Sequence, residues 1–302
     1  MKTTIFGAGS DLGVHIDGAA LGPVQLINDL KSFYKGEIVS FTQDENIIKS
    51  RNLSDRKKNQ YEIEKFNTDL YKSILEKNKE EYFPITIGGD KSVSVASSLA
   101  SAKKFGNENI GIIWLGAHAD YHTFRTTVTG NIAGLSMSTI NGYENNELRY
   151  FHDGNVIQAA RSVIIGVRNI DDREQDDLRY SGINVFTTED IRNKGIEEII
   201  KEAFQIVLRK TSGVHIVFSL DLFDPSIAPG VSIPIFDGLT EEEGSLINQE
   251  ILKHIEDIVS YDLIDFNPLR DNNRKTEQIA INMLAQVINA ANKKGKKFEK
   301  VY

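Results

Sequence analysis

The chain has 302 residues, of which 40% are hydrophobic and 26% charged, and a formal net charge of −8. The acid excess argues against a nucleic-acid footprint, and no apolar run is long enough to span a bilayer, so neither nucleic acid nor membrane is an expected partner. The absence of cysteine excludes disulfides, thiolate nucleophiles and cysteine-ligated zinc. The opening MKTTIFGAGSDLG lacks the apolar core of a secretion signal, which makes a cytoplasmic protein the expectation. Single α/β domains reach this length, and one domain over 1–302 is expected.

In chain order, residues 3–6 read as a first strand, followed by a loop punctuated by Gly7, Gly9, Gly13, Gly18 and Gly22. The segment GAGSDLG places its third glycine one position late for a dinucleotide-binding loop, so it reads as a flexible connection. Pro23 opens a helix with Val24, Leu26, Ile27 and Leu30 on its apolar face. Residues 37–42 form a second strand and 46–55 a polar loop. A charged amphipathic helix over 57–79 turns Tyr61, Ile63, Phe66, Leu70 and Ile74 inward. A strand at 83–87 ends in Gly88-Gly89-Asp90-Lys91-Ser92 ahead of a helix at 94–104, the grammar of a site-building turn.

The stretch NIGIIWLGAHADYH, residues 109–122, organises the rest. Its apolar, β-branched run at 110–115 reads as a strand buried on both faces, in the middle of a parallel sheet. Polarity then switches to His118, Asp120 and His122, which share one face if the chain stays extended. Such a row suits a first-row transition metal or proton transfer, with His118 and Asp120 as candidate catalytic residues. Ligands of open α/β sheets bind beyond the carboxyl ends of the strands, which is where this switch falls.

A polar loop leads on to Asn131 and a helix at 132–140. Strands follow at 162–167 and 183–187, the first ending in Arg168, Asn169, Asp171, Asp172 and Glu174, and then a helix at 197–209. The strand at 214–220 is again apolar and then acidic, with Asp221 and Asp224, and the following 225–237 is stiffened by three prolines. Thr240 with Glu243 is a capping box opening a helix to 255. A last strand at 258–266 ends in Asp265, Asn267 and Pro268, and a helix over 276–293 closes the chain. Alternating strands and helices predict an α/β fold of three layers, a central parallel sheet with helices on both faces. His15, His152, His215 and His254 show no partner spacing and read as surface or structural residues.

Gly22-Pro23, GGDKS at 88–92, AHAD at 117–120, GN at 130–131 and IGVRNID at 165–171 recur with SLD and DPSIAPG between 219 and 230, GLT at 238–240 and DFNP at 265–268. In this order they resemble the ureohydrolase superfamily, which includes arginase, agmatinase and formimidoylglutamase. The resemblance implies an arginase-like fold, usually in homo-oligomers (trimers or hexamers). It also implies two manganese ions bridged by a hydroxide that attacks a guanidino or amidino carbon.

The departures from that pattern are specific. Lys91 stands where the family has a histidine ligand, Gly116 where it has a carboxylate, and Phe223 where its second aspartate of S-x-D-x-D belongs. The segment is also two residues shorter before its DP pair. By this carry-over His118, Asp120 and Asp221 are the surviving metal-ligand positions, three of six, and Ala133 replaces a proton-shuttling histidine. On the substrate side Asn131 is retained. Asp171 and Glu174 match the acids that hold the substrate amine, and Asp265 the acid facing the guanidinium.

Two outcomes follow for the metal site. The Lys91 ammonium takes the place of one ion, paired with Asp120 or Asp221, or else His118, Asp120 and Asp221 with His122 or Asp224 hold a single ion. Manganese is therefore expected as none or one. The corresponding functions are a metal-poor relative that binds a small cationic amine, guanidino compound or amino acid, and an active amidinohydrolase, with a mononuclear metal site as one form of it. In NPLRD with Thr276 beyond, the chain is nearer agmatinase than arginase.

Overall fold

The buried apolar runs form one parallel sheet of eight strands: β1 (Lys2–Gly9), β2 (Glu37–Thr42), β3 (Tyr82–Gly88), β4 (Ile110–Leu115), β5 (Ser162–Val167), β6 (Asn184–Thr187), β7 (Gly213–Ser219) and β8 (Ile258–Ile264). Their order is β2-β1-β3-β8-β7-β4-β5-β6, so the strand expected at the middle, β4, pairs with β7 and β5. The computed structural model describes residues 1–50, 52, 55–77, 82–143, 148 and 154–294. His152 and the end of the helix expected at 57–79 lie outside them.

Helices cover both faces, giving the three layers expected. On one face α1 (Gly22–Leu30), α6 (Thr188–Lys194), α7 (Ile196–Val207), α8 (Glu241–Leu252) and α9 (Lys275–Lys293) build an apolar core with Ile5, Ile85, Ile113, Val163, Ile216 and Leu263 of the sheet. On the other, α2 (Gln60–Lys77), α3 (Ser94–Phe105), α4 (Ser136–Asn141) and α5 (Asp172–Ser181) pack on Phe6, Ile112, Trp114, Ile164 and Val217. Each fully buried side chain of this size contributes about 1.5–3 kcal/mol. No helix among the described residues is long and apolar enough to cross a membrane.

Several local expectations are corrected. Tyr61 is 72% and Val24 45% exposed, because each lies two residues, hence about 200° of helix, from the inward Ile63 and Leu26. Asn67 and Tyr71 fill the inner face of α2 instead. The helix expected at 132–140 is a 3-10 turn, Ile132–Leu135, continuing into α4. Helices α5 and α6 were not expected, α5 being largely charged and α6 only seven residues long. Both nevertheless carry N-cap signals: the Asp171 carboxylate accepts from the amides of Arg173 and Glu174, and Thr187 forms a capping box with Asp190.

Candidate functional site

Five adjacent strands, β3, β8, β7, β4 and β5, end on one edge of the sheet, and each delivers a side chain to a single cavity of about 310 Å³. After β3 the chain turns tightly, with Gly89 so close to the 10–19 loop that a Cβ there would lie 2.0 Å from the Ser10 carbonyl oxygen. Asp90 fixes this turn by accepting from the amides of Gly13 and Ser92, each at 2.7 Å. The turn aims Lys91 across the end of β8 toward the residues that follow β7 and β4.

There the Lys91 ammonium lies 2.6 Å from Asp221 Oδ2, 3.1 Å from Asp120 Oδ2 and 3.3 Å from His118 Nδ1. The Lys91, Asp120 and Asp221 side chains are 6%, 5% and 1% exposed, so this is an ion-pair cluster out of bulk water. His118 Nδ1 is 2.8 Å from Asp221 Oδ2, whose other oxygen accepts from the Ala117 amide at 3.1 Å. Trp114, the chain's one tryptophan, donates its indole N–H to Asp120 Oδ2 at 3.1 Å. Asp120 and Asp265 hold left-handed backbone, φ 54° and 70°, a conformation that costs a non-glycine residue about 1–3 kcal/mol.

A second acidic group lines the other side of the cavity. Asp171 caps α5 with Oδ1 and approaches His122 Nε2 to 3.0 Å with Oδ2. Glu174 Oε1 accepts from the Tyr121 amide at 2.8 Å, and Oε2 lies 4.0 Å from His122 Nε2. Asn131 forms part of the wall, with its amide 3.0 Å from His15 Nδ1. Asp265 Oδ1 accepts from the Ser232 amide at 3.2 Å.

Burial and charge divide these groups. Burial alone would lower the Lys91 pKa, but Asp120, Asp221 and Asp265 together hold it above the usual lysine range. Burial would raise Asp221, and Lys91 with His118 overcomes it, leaving the carboxyl well below its ordinary value. At Glu174 the pull of Lys91 is outweighed: burial, with Asp120 and Asp171 nearby, pushes it up to about 8. Burial and then Asp221 push Asp265 up to about 7, and burial pushes Asp90 up to about 6. Among the described residues, six carboxyl groups thus line the cavity beside one ammonium.

The row His118, Asp120, His122 does not share one face. The left-handed turn at Asp120 breaks the alternation, so His118 and Asp120 meet Lys91 while His122 joins Asp171. Asp224 is not brought to the cavity. Its carboxylate accepts from the amides of Ser226, Asp237 and Gly238 and holds the 225–238 loop. Sequence reasoning gave no role to Arg168, whose guanidinium donates to the carbonyls of Gly166, Asp221, Phe223, Ile235 and Phe236 and ties that loop to the end of β7. Trp114 and Ser232 were likewise missed, whereas His15 is an exposed residue, as its sequence reading has it, that meets the Asn131 amide. The singular tryptophan three residues before AHAD was the one available signal.

The arginase family model matches residues 1–289. The chain belongs to the arginase family. Arginase from Staphylococcus aureus (strain COL) is 32% identical over 291 residues, covering 93% of this chain and 94% of that protein. The native Bacillus caldovelox arginase structure superposes with a TM-score of 0.84 at 26% identity, over 95% and 98% of the two chains. An Entamoeba histolytica arginase in complex with L-ornithine reaches 0.86 at 23% identity, over 95% and 99%, a likeness of fold. These relatives carry the name arginase, so the agmatinase-like ending at 267–276 does not carry the subtype.

Family membership implies manganese, and the residues present do not fit it. Among the described residues no three His, Asp or Glu side chains are grouped to hold a metal ion. The physical reason is the Lys91 ammonium, which stands where Asp120, Asp221 and His118 converge. A Cβ on Gly116 would lie 2.9 Å from Asp221 Oδ1 and 3.6 Å from Lys91 Nζ, so the glycine makes room for the ion pair. Phe223 points away from the cavity, 1% exposed, against Phe218 and over Gly244. A carboxylate at that position would enter the core.

Proposed function

We propose that this arginase-family chain binds a small cationic amine or amino acid in the cavity and does not hydrolyse it through a manganese pair. The observation that carries this reading is the Lys91 ammonium, paired with Asp120 and Asp221 beside His118. A buried ammonium with two carboxylate partners balances charge as an ion would, but it offers no open coordination position and cannot turn water into hydroxide. Asp171, Glu174 and Asp265 remain to receive a cation, with Asn131 in the wall. Raised carboxyl pKa values at Glu174 and Asp265 support the same reading, since an entering ammonium stabilises their ionised forms.

The test is elemental analysis after incubation with manganese and desalting, followed by calorimetry with L-arginine, L-ornithine and agmatine and an assay for urea. No retained manganese, binding of one of these ligands and no urea is the expected result. Two ions per chain with urea release would restore the hydrolase. One ion would favour a mononuclear site on His118, Asp120 and Asp221, for which displacement of Lys91 is required. Assembly as a trimer or hexamer, implied by the family, belongs to the same proposal and is read by light scattering.

A further inference from the structure

His118 has an edge that neither the ion-pair cluster nor the distal acids use. Its Nδ1 stands 2.8 Å from Asp221 Oδ2 and 3.3 Å from the Lys91 ammonium. In a neutral imidazole Nδ1 is either a donor to the carboxylate or an acceptor from the ammonium, never both. As an acceptor it would turn its lone pair on the Asp221 oxygen, acceptor against acceptor at hydrogen-bond distance. As a donor it makes a charge-assisted bond, and the 3.3 Å to Lys91 becomes the separation of two donors sharing that carboxylate. The order of the two distances follows the second arrangement.

The opposite edge of the ring then carries a bare Nε2. The side chain is 17% exposed and lines the cavity, and among the described residues no protein group bonds Nε2. We propose that Asp221 fixes the neutral His118 ring as its Nδ1–H tautomer, so that Nε2 is the acceptor that receives an N–H of the bound ligand. This deepens the reading of the cavity given above and rests on it for the ligand. The carboxylates supply charge to a cation, whereas Nε2 supplies direction. A guanidinium, amidinium or ammonium head satisfies it, and a carboxylate or tertiary amide head has no proton to offer it. His118 becomes a residue that orients the ligand.

The experiment is a long-range proton–nitrogen correlation spectrum of the full chain labelled with ¹⁵N-histidine, recorded at pH 8 without ligand and then with L-arginine. The His118 signals are assigned by their loss in His118→Gln. Should that variant not fold, proximity of the ring to Lys91 and Asp221 assigns them. A proton on Nδ1, a bare Nε2, and an Nε2 resonance that moves when arginine binds are expected. A proton on Nε2 in the ligand-free protein overturns the inference, as does arginine bound by calorimetry with Nε2 unmoved. Arginine, ornithine and agmatine all failing to bind would sink the reading of the cavity, while the tautomer in the free protein still decides the state of His118.

Discussion

Lys91 holds together residues that would otherwise repel. With its ammonium gone, Asp120 and Asp221 remain as adjacent carboxylates out of water, and breaking a buried pair in this way costs about 3–5 kcal/mol. Lys91→Met should therefore lose stability of that order at pH 8 in urea denaturation. The loss should shrink at pH 5, where the stranded carboxylates can take up protons. A pH-independent loss would mean that the side chain contributes packing only. Glu174 has the opposite sign. Its carboxyl keeps a proton up to about pH 8 when folded and to about 4.5 in its unperturbed state, so the folded chain binds more protons between these values. Stability falls as pH rises across that window. Melting temperature should decline from pH 5 to 8.5 in the native chain and decline less steeply in Glu174→Gln. Equal slopes would show that Glu174 titrates normally.

Among the elements, the strands and their ends were the most legible part of the sequence. Continuous apolar runs such as 110–115 can be buried on both faces only inside a parallel sheet, and the glycine or acid that ends the runs of β3, β4, β7 and β8 marked strand ends at the cavity. The ion pair of Lys91 with Asp120 and Asp221 could be anticipated because an isolated ammonium among carboxylates has few other places to be. Directions were less legible. The left-handed turn at Asp120, which sends His122 to Asp171, has no local signature, since aspartate accepts either backbone conformation. Asp224 looked like a ligand because an acid beyond a buried strand end is ambiguous between holding a loop and facing a ligand. Phe223 sharpens the point. The variant Lys91→His/Gly116→Asp should gain manganese, short of two ions per chain by elemental analysis. Adding Phe223→Asp should not add a second ion and should cost more than about 3 kcal/mol, because that side chain is directed over Gly244 into the core. Two ions in the triple variant would show that the shortened segment can re-aim residue 223.

Across the whole molecule, the sheet order brings residues more than a hundred positions apart into one cluster, Lys91 to Asp221 being separated by 130. Such a site forms only when the sheet is complete, and its charge balance is then part of folding. An ion taken from solution leaves when its supply falls or a chelator competes for it, whereas a cation carried on a side chain is present in every folded copy at a fixed ratio of one. The melting temperature should accordingly be the same in EDTA and in excess manganese, since neither has a partner to remove or a place to fill; a shift with either would show an ion bound to the folded state. On the proposed reading Lys91 uncouples this cavity from metal homeostasis: its charge is written into the gene and set by translation, so starvation for manganese leaves the site charged and folded.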